Sequence, residues 1–461
     1  MSTRLERPAR TLFQLCYPLL LNGCLSLLVS LLDQVIISSY SDQAAAAVSI
    51  ANQVLGVAYD LSGLLAVGAA ILVARHLGAG DEERARQVAN VAIVANAVLG
   101  LLIALLLVPA GPWVLRLINT PAEIFADARL YVHVIAVAMV FNGFLMAAVA
   151  VLRAFGQVKI LLLLGVIANL LYVGFEYTLI HGLGPIPSLG VFGSALATLI
   201  VRVVGVLLLI WVLLRRLRLQ MRSALALRAW GALVRRLTAL SYPSVIDNMA
   251  YGFYQLTLVG FITAFGVGAV LGRTYTLSLS AFMSLLLLTL SQATEVLVGW
   301  RIGAADWDGA RRRALRSSWL AAGWTTAAAL LVYLFANPLL GMFTKDAQVV
   351  ATARELLWLS IFLQPVNAIN MVLFNALKAA GDVYVPVVAS QVVMWGVGLP
   401  LAWFLCVRLG YGVAGLWYAF LVEETLKTAF MAQRWLGGRW RPMAAALCET
   451  RGADSQAGEQ A

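Results

Sequence analysis

The chain has 461 residues, of which 62% are hydrophobic and only 12% are charged, and its mean hydropathy is +0.87. Soluble globular proteins carry roughly twice that charged fraction, so the composition excludes a soluble protein and predicts a polytopic membrane protein. The formal net charge of +11 comes from basic residues on loops beside a lipid surface, so membrane topology accounts for it and no nucleic-acid partner is expected.

Twelve apolar stretches along the chain are long enough to cross a bilayer as helices. Backbone groups in lipid need internal hydrogen-bond partners, so the predicted fold class is an all-α polytopic membrane protein. The predicted spans are 12–37, 44–72, 88–108, 130–152, 160–180, 190–214, 238–264, 270–299, 316–337, 355–377, 384–407 and 411–434.

Most of the 33 Lys and Arg residues fall on loops that would share the side of the N-terminus. This asymmetry predicts that both termini are cytoplasmic and that the protein spans a bacterial inner membrane. The predicted domains are a cytoplasmic N-terminus (1–11), a six-helix bundle (12–214), an Arg-rich cytoplasmic linker (215–237), a second six-helix bundle (238–434) and a disordered cytoplasmic tail (435–461).

The first span contains one carboxylate, Asp33, in an otherwise apolar run. Intervals of three and four residues place four polar side chains of this span on one helix face: Asn22, Ser26, Ser30 and Asp33. Lipid penalises such a face, which predicts that it lines a wet cavity or a partner helix. Intramembrane carboxylates are costly and usually functional; the competing interpretation of Asp33 is an ion pair with Arg202 that fixes helix packing.

Two later spans of the first half also carry polar residues on single helix faces. In the fifth span these residues are Asn169, Tyr172 and Glu176. In the sixth span they are Ser194, Thr198 and Arg202. Asp60 in the second span is isolated, and it is expected either to bind a cationic substrate or to pair with Arg202.

The second half has polar sets of its own. The seventh span carries Asp247, Tyr251 and Gln255, and the tenth carries Gln364, Asn367 and Asn370. We expect these two sets to line a substrate cavity, together with the first-half residues Asn22, Ser26, Ser30, Asp60 and Arg202. In the last span, the spacing of Glu423, Glu424 and Lys427 predicts a local ion pair.

The chain is internally duplicated at an offset of 225 residues. Three segments recur at that offset: Tyr17-Pro18 as Tyr242-Pro243, "LGAGDEERAR" (77–86) as "IGAADWDGAR" (302–311), and "LRAFGQ" (152–157) as "LKAAGD" (377–382). "GVFG" (190–193) then matches "GVAG" (412–415) after a slip of three. Six spans, an even number, separate each segment from its copy, so both halves cross the membrane in the same direction. The halves are therefore predicted to be parallel repeats around a central cavity.

These motifs, in this order, resemble the multidrug and toxic compound extrusion (MATE) transporters over about residues 10–435. The resemblance implies a non-enzymatic secondary antiporter without a cofactor that exports small organic, including cationic, compounds in exchange for protons or sodium. We expect it to act as a monomer embedded in the bilayer.

The resemblance also implies a cation-binding cluster on the first, fifth and sixth helices. Its two acids correspond to Asp33 and Glu176, and its threonine to Thr198. Asn169 is a further candidate, and Tyr172 stands where the family has an asparagine, which favours protons over sodium. Some family members carry a second set of acids, at positions that here appear as Tyr251 and Asn367, with Asp247 as the candidate substitute.

Three other functions remain as alternatives. A lipid or lipid-linked oligosaccharide flippase would share the architecture, but it would need more intramembrane basic residues than Arg202 and Lys427. A membrane enzyme would need a nucleophile or a metal cluster, and the Cys and His residues have no metal-ligand spacing. A channel fits less well than alternating access with buried titratable acids.

Overall fold

The structure is a computed structural model that describes residues 11–118, 120–183, 187–219 and 230–446. This part of the chain is helical almost throughout, which confirms the prediction of an all-α polytopic fold. The predicted N-terminal segment up to residue 10, linker residues 220–229 and tail residues 447–461 lie outside the described residues.

The helices of the first half are α1 (Leu12–Tyr40), α2 (Asp42–Ser62), α3 (Leu64–Gly78), α4 (Glu82–Leu117), α5 (Ala122–Ala154), α6 (Val158–His181) and α7 (Gly190–Arg216). Those of the second half are α8 (Trp230–Thr263), α9 (Val267–Gly303), α10 (Trp307–Leu334), α11 (Ala336–Gly341), α12 (Ala347–Ala379), α13 (Tyr384–Val393), α14 (Leu399–Trp403) and α15 (Gly412–Leu436). Two π-helical segments, Met394–Gly398 and Phe404–Arg408, flank α14.

Each predicted span corresponds to helix, and several helices extend beyond the apolar core. Ten described helical stretches are long and apolar enough to cross a membrane by themselves; α8 and α15 carry more polar residues and are not among them. The second predicted span is interrupted at Gly63, where α2 ends and α3 begins. The eleventh contains the two π-helical segments, a feature that hydropathy does not report.

Asn96 of α4 holds the α2–α3 interruption together. Its amide nitrogen donates to the carbonyl oxygens of Ser62, at 2.8 Å, and of Gly143, at 2.7 Å. Its amide oxygen accepts from the backbone N–H of Leu65 at 3.2 Å. Asn96 is fully buried, so it satisfies backbone groups that water does not reach.

Small residues let α4 and α5 pack closely beside this interruption. A Cβ added to Gly143 would lie 2.3 Å from the carbonyl oxygen of Asn96, and one added to Gly100 would lie 2.5 Å from that of Met139. Close backbone approach at glycine is a usual way for membrane helices to associate. It brings the Gly143 carbonyl within reach of the Asn96 side chain.

The duplicated motifs fold into equivalent turns. Asp81 caps α4 by accepting from the Arg84 N–H at 3.1 Å, and Asp306 caps α10 by accepting from the Gly309 N–H at 2.8 Å. Left-handed backbone angles recur at matched positions: Gly80 and Ala305, Gly156 and Gly381, Gly190 and Gly412. Each pair keeps the sequence offset of its motif, so the repeat extends to backbone conformation.

The chain forms two compact units. The N-terminal unit comprises Tyr17–Leu77 and Asp81–Val245; the C-terminal unit comprises the described residues up to Cys16, Gly78–Gly80 and those from Ile246 onward. An apolar core fills each unit. In the N-terminal unit it gathers residues of α2, α4 and α5, and in the C-terminal unit one core gathers residues of α8, α12 and α15.

The predicted disorder of the tail is wrong for residues 435–446. Trp435 and Trp440 are fully buried, and their rings stack at a centroid distance of 4.5 Å. Arg441 donates to Asp308 of α10 at 2.9 Å. Two buried indoles contribute enough apolar area to order this segment, which the polar residues after it obscured in the sequence.

Candidate functional site

Asp33 of α1 and Glu176 of α6 lie together in the N-terminal unit, joined by Tyr172. The Tyr172 hydroxyl is 2.8 Å from Asp33 Oδ1 and 3.2 Å from Glu176 Oε1. Tyr172 and Glu176 are four residues apart on α6, so their side chains project from the same helix face. We call Asp33, Tyr172 and Glu176 the acid cluster.

Neighbouring helices close around the acid cluster. Glu176 is fully buried, and Ser194 of α7 donates to its Oε1 at 3.5 Å. Its other oxygen, Oε2, has no hydrogen-bond partner among the described residues. Tyr131 of α5, also buried, lies near enough to interact electrostatically with both acids. The cluster is therefore a pair of carboxyls, one fully buried at Glu176 and one partly buried at Asp33, with neutral polar groups beside them.

Arg202 does not neutralise Asp33. Its Nη2 donates to the Tyr59 hydroxyl at 2.9 Å, and its guanidinium lies 4.9 Å from the centroid of the Tyr59 ring. Within the described part of the chain, no Lys or Arg lies within salt-bridge distance of Asp33 or Glu176. The Asp33–Arg202 ion pair, the competing interpretation of Asp33, is not formed here.

The proposed pairing of Asp60 with Arg202 is not formed either, because Arg202 engages Tyr59 instead and Asp60 is exposed. Adjacent residues on α2 point in different directions, so Tyr59 faces α7 while its neighbour does not. This leaves the substrate-binding interpretation of Asp60 as a prediction.

Two other residues predicted for the cation cluster bond to their own helices. Thr198 Oγ1 donates to the carbonyl oxygen of Ser194 at 3.2 Å, and Asn169 Nδ2 donates to that of Gly165 at 2.9 Å. Such bonds to the preceding turn are a common alternative for short polar side chains in helices. The structure brings Asp33, Tyr172 and Glu176 together, and Ser194 is the α7 residue that contacts an acid.

The other polar residues on the same face of α1 as Asp33 differ in their surroundings. The Asn22 side chain packs against Gly165 of α6, where an added Cβ would overlap it. Ser26 and Ser30 are exposed. This face of α1 therefore contacts α6 at Asn22 and contributes Asp33 to the acid cluster.

The C-terminal unit holds a second buried charged group on α15. Lys427 Nζ is 2.5 Å from Glu423 Oε1 and 3.2 Å from Glu424 Oε1, which confirms the predicted local ion pair. Tyr254 of α8 donates to Glu423 at 2.5 Å, and Asn370 of α12 donates to Glu424 at 2.8 Å. Every carboxylate oxygen of this group therefore has a donor. We call Lys427, Glu423 and Glu424 the ion triad.

The predicted polar face of α8 forms two separate hydrogen-bonded groups. Asp247 accepts from Gln391 Nε2 at 2.6 Å. Gln255 donates to the Tyr251 hydroxyl at 2.5 Å and accepts from Arg273 of α9 at 3.0 Å. Arg273 lies within the eighth predicted span. The prediction that Arg202 and Lys427 are the intramembrane basic residues is therefore wrong, because Arg273 is a third.

On α12, Gln364 is buried, and Asn367 and Asn370 are partly buried. The side-chain oxygens of Gln364 and Asn370 have no hydrogen-bond partner among the described residues. Asn370 belongs with the ion triad through its amide nitrogen. Sequence spacing placed the three residues on one face but did not identify this partner.

Sequence reasoning left out three residues that the structure connects to buried polar groups. Tyr131 near the acid cluster and Tyr254 beside the ion triad lie in apolar segments. In such segments the sequence does not distinguish an aromatic residue with a polar role from one that packs in the apolar core. Asn96 shares an apolar run with one other amide, Asn90, and a buried amide there is itself a signal, because it must find partners inside the protein.

The comparisons with known proteins agree with this architecture. The family model described as MatE matches residues 18–178 and 243–404, one match in each half. The uncharacterized transporter YisQ of Bacillus subtilis is 30% identical, with 95% of this chain and 97% of that protein aligned. The probable multidrug resistance protein NorM of Thermotoga maritima is 24% identical, covering 94% of each chain.

Among solved structures, the Vibrio cholerae MATE transporter VcmN in its bent form superposes with a TM-score of 0.85 at 21% sequence identity, covering 95% of this chain and 97% of that one. An outward-facing MATE family multidrug transporter superposes with a TM-score of 0.84 at 20% identity, covering 95% and 96%. At such identities the superpositions establish the fold. Together with the family match in both halves and the full-length relatives, they show that the chain belongs to the MATE family of multi-pass membrane transporters, which are not enzymes and use no cofactor.

Proposed function

We propose that this chain exports small organic compounds, including cations, across the bacterial inner membrane in exchange for a cation bound between Asp33 and Glu176. The observation that carries the proposal is the acid cluster: two carboxyls within membrane helices, bridged by Tyr172 and without a basic residue in salt-bridge distance among the described residues. Adjacent carboxylates in a low-dielectric site repel each other, so a proton or another cation is needed to balance them.

An exchange cycle follows from this requirement. When the cation leaves the acid cluster, the negative charge and the local packing change, and an organic cation or a rearrangement of α1 and α6 compensates. Alternating access then couples entry of one species to exit of the other, because the cluster is exposed to one side of the membrane at a time. We expect both termini on the cytoplasmic side. An inward gradient of protons or sodium ions would then drive the organic compound outward.

Relatives named for multidrug resistance support organic compounds as substrates. A lipid or oligosaccharide flippase is not favoured. Among the described residues, each basic residue in the interior of the spans has its own protein partner: Tyr59 for Arg202, Gln255 for Arg273, and Glu423 and Glu424 for Lys427.

The test is efflux of ethidium, a fluorescent organic cation, from liposomes reconstituted with the full chain, driven by an imposed pH or sodium gradient. Asp33→Asn retains shape and hydrogen bonding but cannot ionise, so it should abolish uphill efflux. Asp42→Asn, which removes an exposed acid at the start of α2, is the matched control and should not change the rate. Normal uphill efflux by Asp33→Asn would contradict the proposal.

A further inference from the structure

We infer that the start of α10 carries a binding site for the phosphate of an anionic phospholipid, formed by Arg301, Arg313 and Arg316. We call these three side chains the arginine site. It lies in the C-terminal unit, away from the acid cluster, and it does not depend on the proposed exchange function. Two observations carry the inference: three guanidiniums meet beside one face of α10, and buried N–H groups of Arg313 have no partner among the described residues.

The arginine site is built on one face of α10. Gly309, Arg313, Arg316 and Leu320 follow one another at intervals of four, three and four residues, which places them on the same face. Arg301, in the last turn of α9, reaches this face, because a Cβ added to Gly309 would overlap its Nη1. Arg301 and Arg316 are both near enough to Arg313 to interact with it electrostatically. Three positive groups therefore come together over the first turns of α10.

The two acids at the start of α10 are already engaged. Asp306 accepts from Arg301 Nη1 at 2.7 Å. Asp308 accepts from Arg441, beyond the end of α15, at 2.9 Å. Asp306 balances one of the three positive charges of the arginine site, and Asp308 balances a charge outside it. The site therefore retains a net positive charge.

Arg313 and Arg316 lack a counter-charge of this kind. Neither forms a salt bridge with any of the described residues. Nε and Nη2 of Arg313 are buried, and neither has a hydrogen-bond partner in the same part of the chain. Buried N–H groups without an acceptor are costly, and a guanidinium donates two parallel hydrogen bonds to a phosphate. A phosphate matches both the charge and the donor geometry of the site.

The side chains next to the arginine site favour a phospholipid over free phosphate. Leu320 and Trp324 continue the same face and are 45% and 52% exposed, and Trp319 beside them is 71% exposed. All three belong to the ninth predicted span, so we expect acyl chains to contact them. Arginine at the membrane boundary with tryptophan next to it is typical of the interface with lipid headgroups. A phospholipid places its phosphate on the arginines and its acyl chains along the exposed apolar face.

The corresponding helix of the other half does not have these arginines. At the offset of 225 residues, Arg313 corresponds to Val88 and Arg316 to Val91, and both valines are buried. The turn before the helix has the same capping aspartate in both halves. The repeated fold therefore forms without arginine at these positions, which favours a binding role over a structural one.

The test is binding of phosphatidylglycerol, an anionic phospholipid, to the full chain in neutral detergent, measured by native mass spectrometry. Phosphatidylcholine and inorganic phosphate are the comparison ligands. Wild type should bind phosphatidylglycerol more tightly than phosphatidylcholine, whose choline group brings a positive charge towards the arginines. Inorganic phosphate at the same concentration should not displace the lipid, because it lacks the acyl contacts. Replacing both arginines, Arg313→Gln with Arg316→Gln, should weaken phosphatidylglycerol binding by about tenfold or more, because charge-assisted hydrogen bonds are lost.

The matched control combines Arg84→Gln with Arg86→Gln. It removes the same charge from the equivalent region of the other half, where each arginine pairs with an acid, and it should leave the lipid affinity unchanged. The unfolding temperature gives a second readout: phosphatidylglycerol should raise it in wild type and in the control more than in the variant of the arginine site. If that double variant does not fold, Arg316→Gln alone makes the test, since Arg316 is exposed.

Four results would overturn the inference. They are wild-type lipid affinity in the variant of the arginine site, an equal loss of affinity in the control, equal binding of phosphatidylcholine, and displacement of the lipid by inorganic phosphate at the same concentration. The first three would show that these arginines do not form a specific site for an anionic headgroup. The fourth would make the arginine site a site for free phosphate.

Discussion

The two units surround their intramembrane acids with different kinds of partner. In the C-terminal unit, Glu423 and Glu424 share Lys427, which comes from the same helix one turn away. In the N-terminal unit, Asp33 and Glu176 are bridged by a phenol. Lys427 offsets one of the two negative charges within its own helix, whereas the acid cluster has no basic residue in salt-bridge distance among the described residues and needs a cation for balance. This difference supports the proposal that the acid cluster is the working site, and we expect the ion triad to maintain the fold.

The second span of each half shows a parallel contrast. In the N-terminal unit it is divided at Gly63 into α2 and α3, and Asn96 satisfies the backbone groups at the interruption. In the C-terminal unit α9 runs unbroken from Val267 to Gly303, and the position that matches Asn96 is Ala321, also fully buried. Of these two matched positions, only the one beside an interrupted helix carries an amide.

The largest expected effect distinguishes the roles of the acids. Glu176→Gln should abolish uphill ethidium efflux, because the acid cluster then loses one of its two titratable groups. Glu423→Gln should retain efflux, since Lys427 still pairs with Glu424. Reconstituted transport at matched protein levels measures both. Equal loss in the two variants would remove the distinction between a working site and a structural one.

Removing the cation of the ion triad should cost more stability than any change in the acid cluster. Lys427→Met leaves two buried carboxylates without a counter-charge and should lower the free energy of unfolding by about 3–5 kcal/mol. Unfolding of the detergent-solubilised chain by denaturant titration reports the difference. Adding Glu423→Gln and Glu424→Gln to the same variant should recover much of the loss. No recovery would show that Lys427 acts through packing alone.

Exchanging the two residues at the matched positions of α4 and α10 tests the second contrast. Asn96→Ala removes three hydrogen bonds to buried backbone groups and should destabilise the chain by about 2–4 kcal/mol. Ala321→Asn buries an amide opposite an unbroken helix and should also destabilise, by about 1–3 kcal/mol. Thermal unfolding in detergent measures both. If Asn96→Ala leaves the unfolding temperature unchanged, the backbone groups at the Gly63 interruption do not depend on the Asn96 side chain.

The smallest effect concerns the duplicated turns. Ala305 has φ +58°, a conformation that is strained for any residue with a Cβ, while its counterpart Gly80 has φ +78°. Ala305→Gly should therefore stabilise the chain by up to about 1 kcal/mol, and Gly80→Ala should destabilise it by about 1–2 kcal/mol. The sign of the shift in unfolding temperature is the readout. A loss of stability in Ala305→Gly would show that unfolded-state entropy outweighs the strain.

Sequence alone determined the helical class, the approximate position of every span and the internal duplication, because hydropathy and residue spacing are local properties that the bilayer enforces. It also placed Asp33 on a polar stripe and Glu176 one turn from Tyr172. Tertiary structure decided which atoms meet: Tyr172 bridges the acids, Arg202 turns to Tyr59, and Asn96 binds across the Gly63 interruption. Those outcomes depend on which helices become neighbours and on the side-chain rotamers their packing allows, and neither is encoded within a single helix.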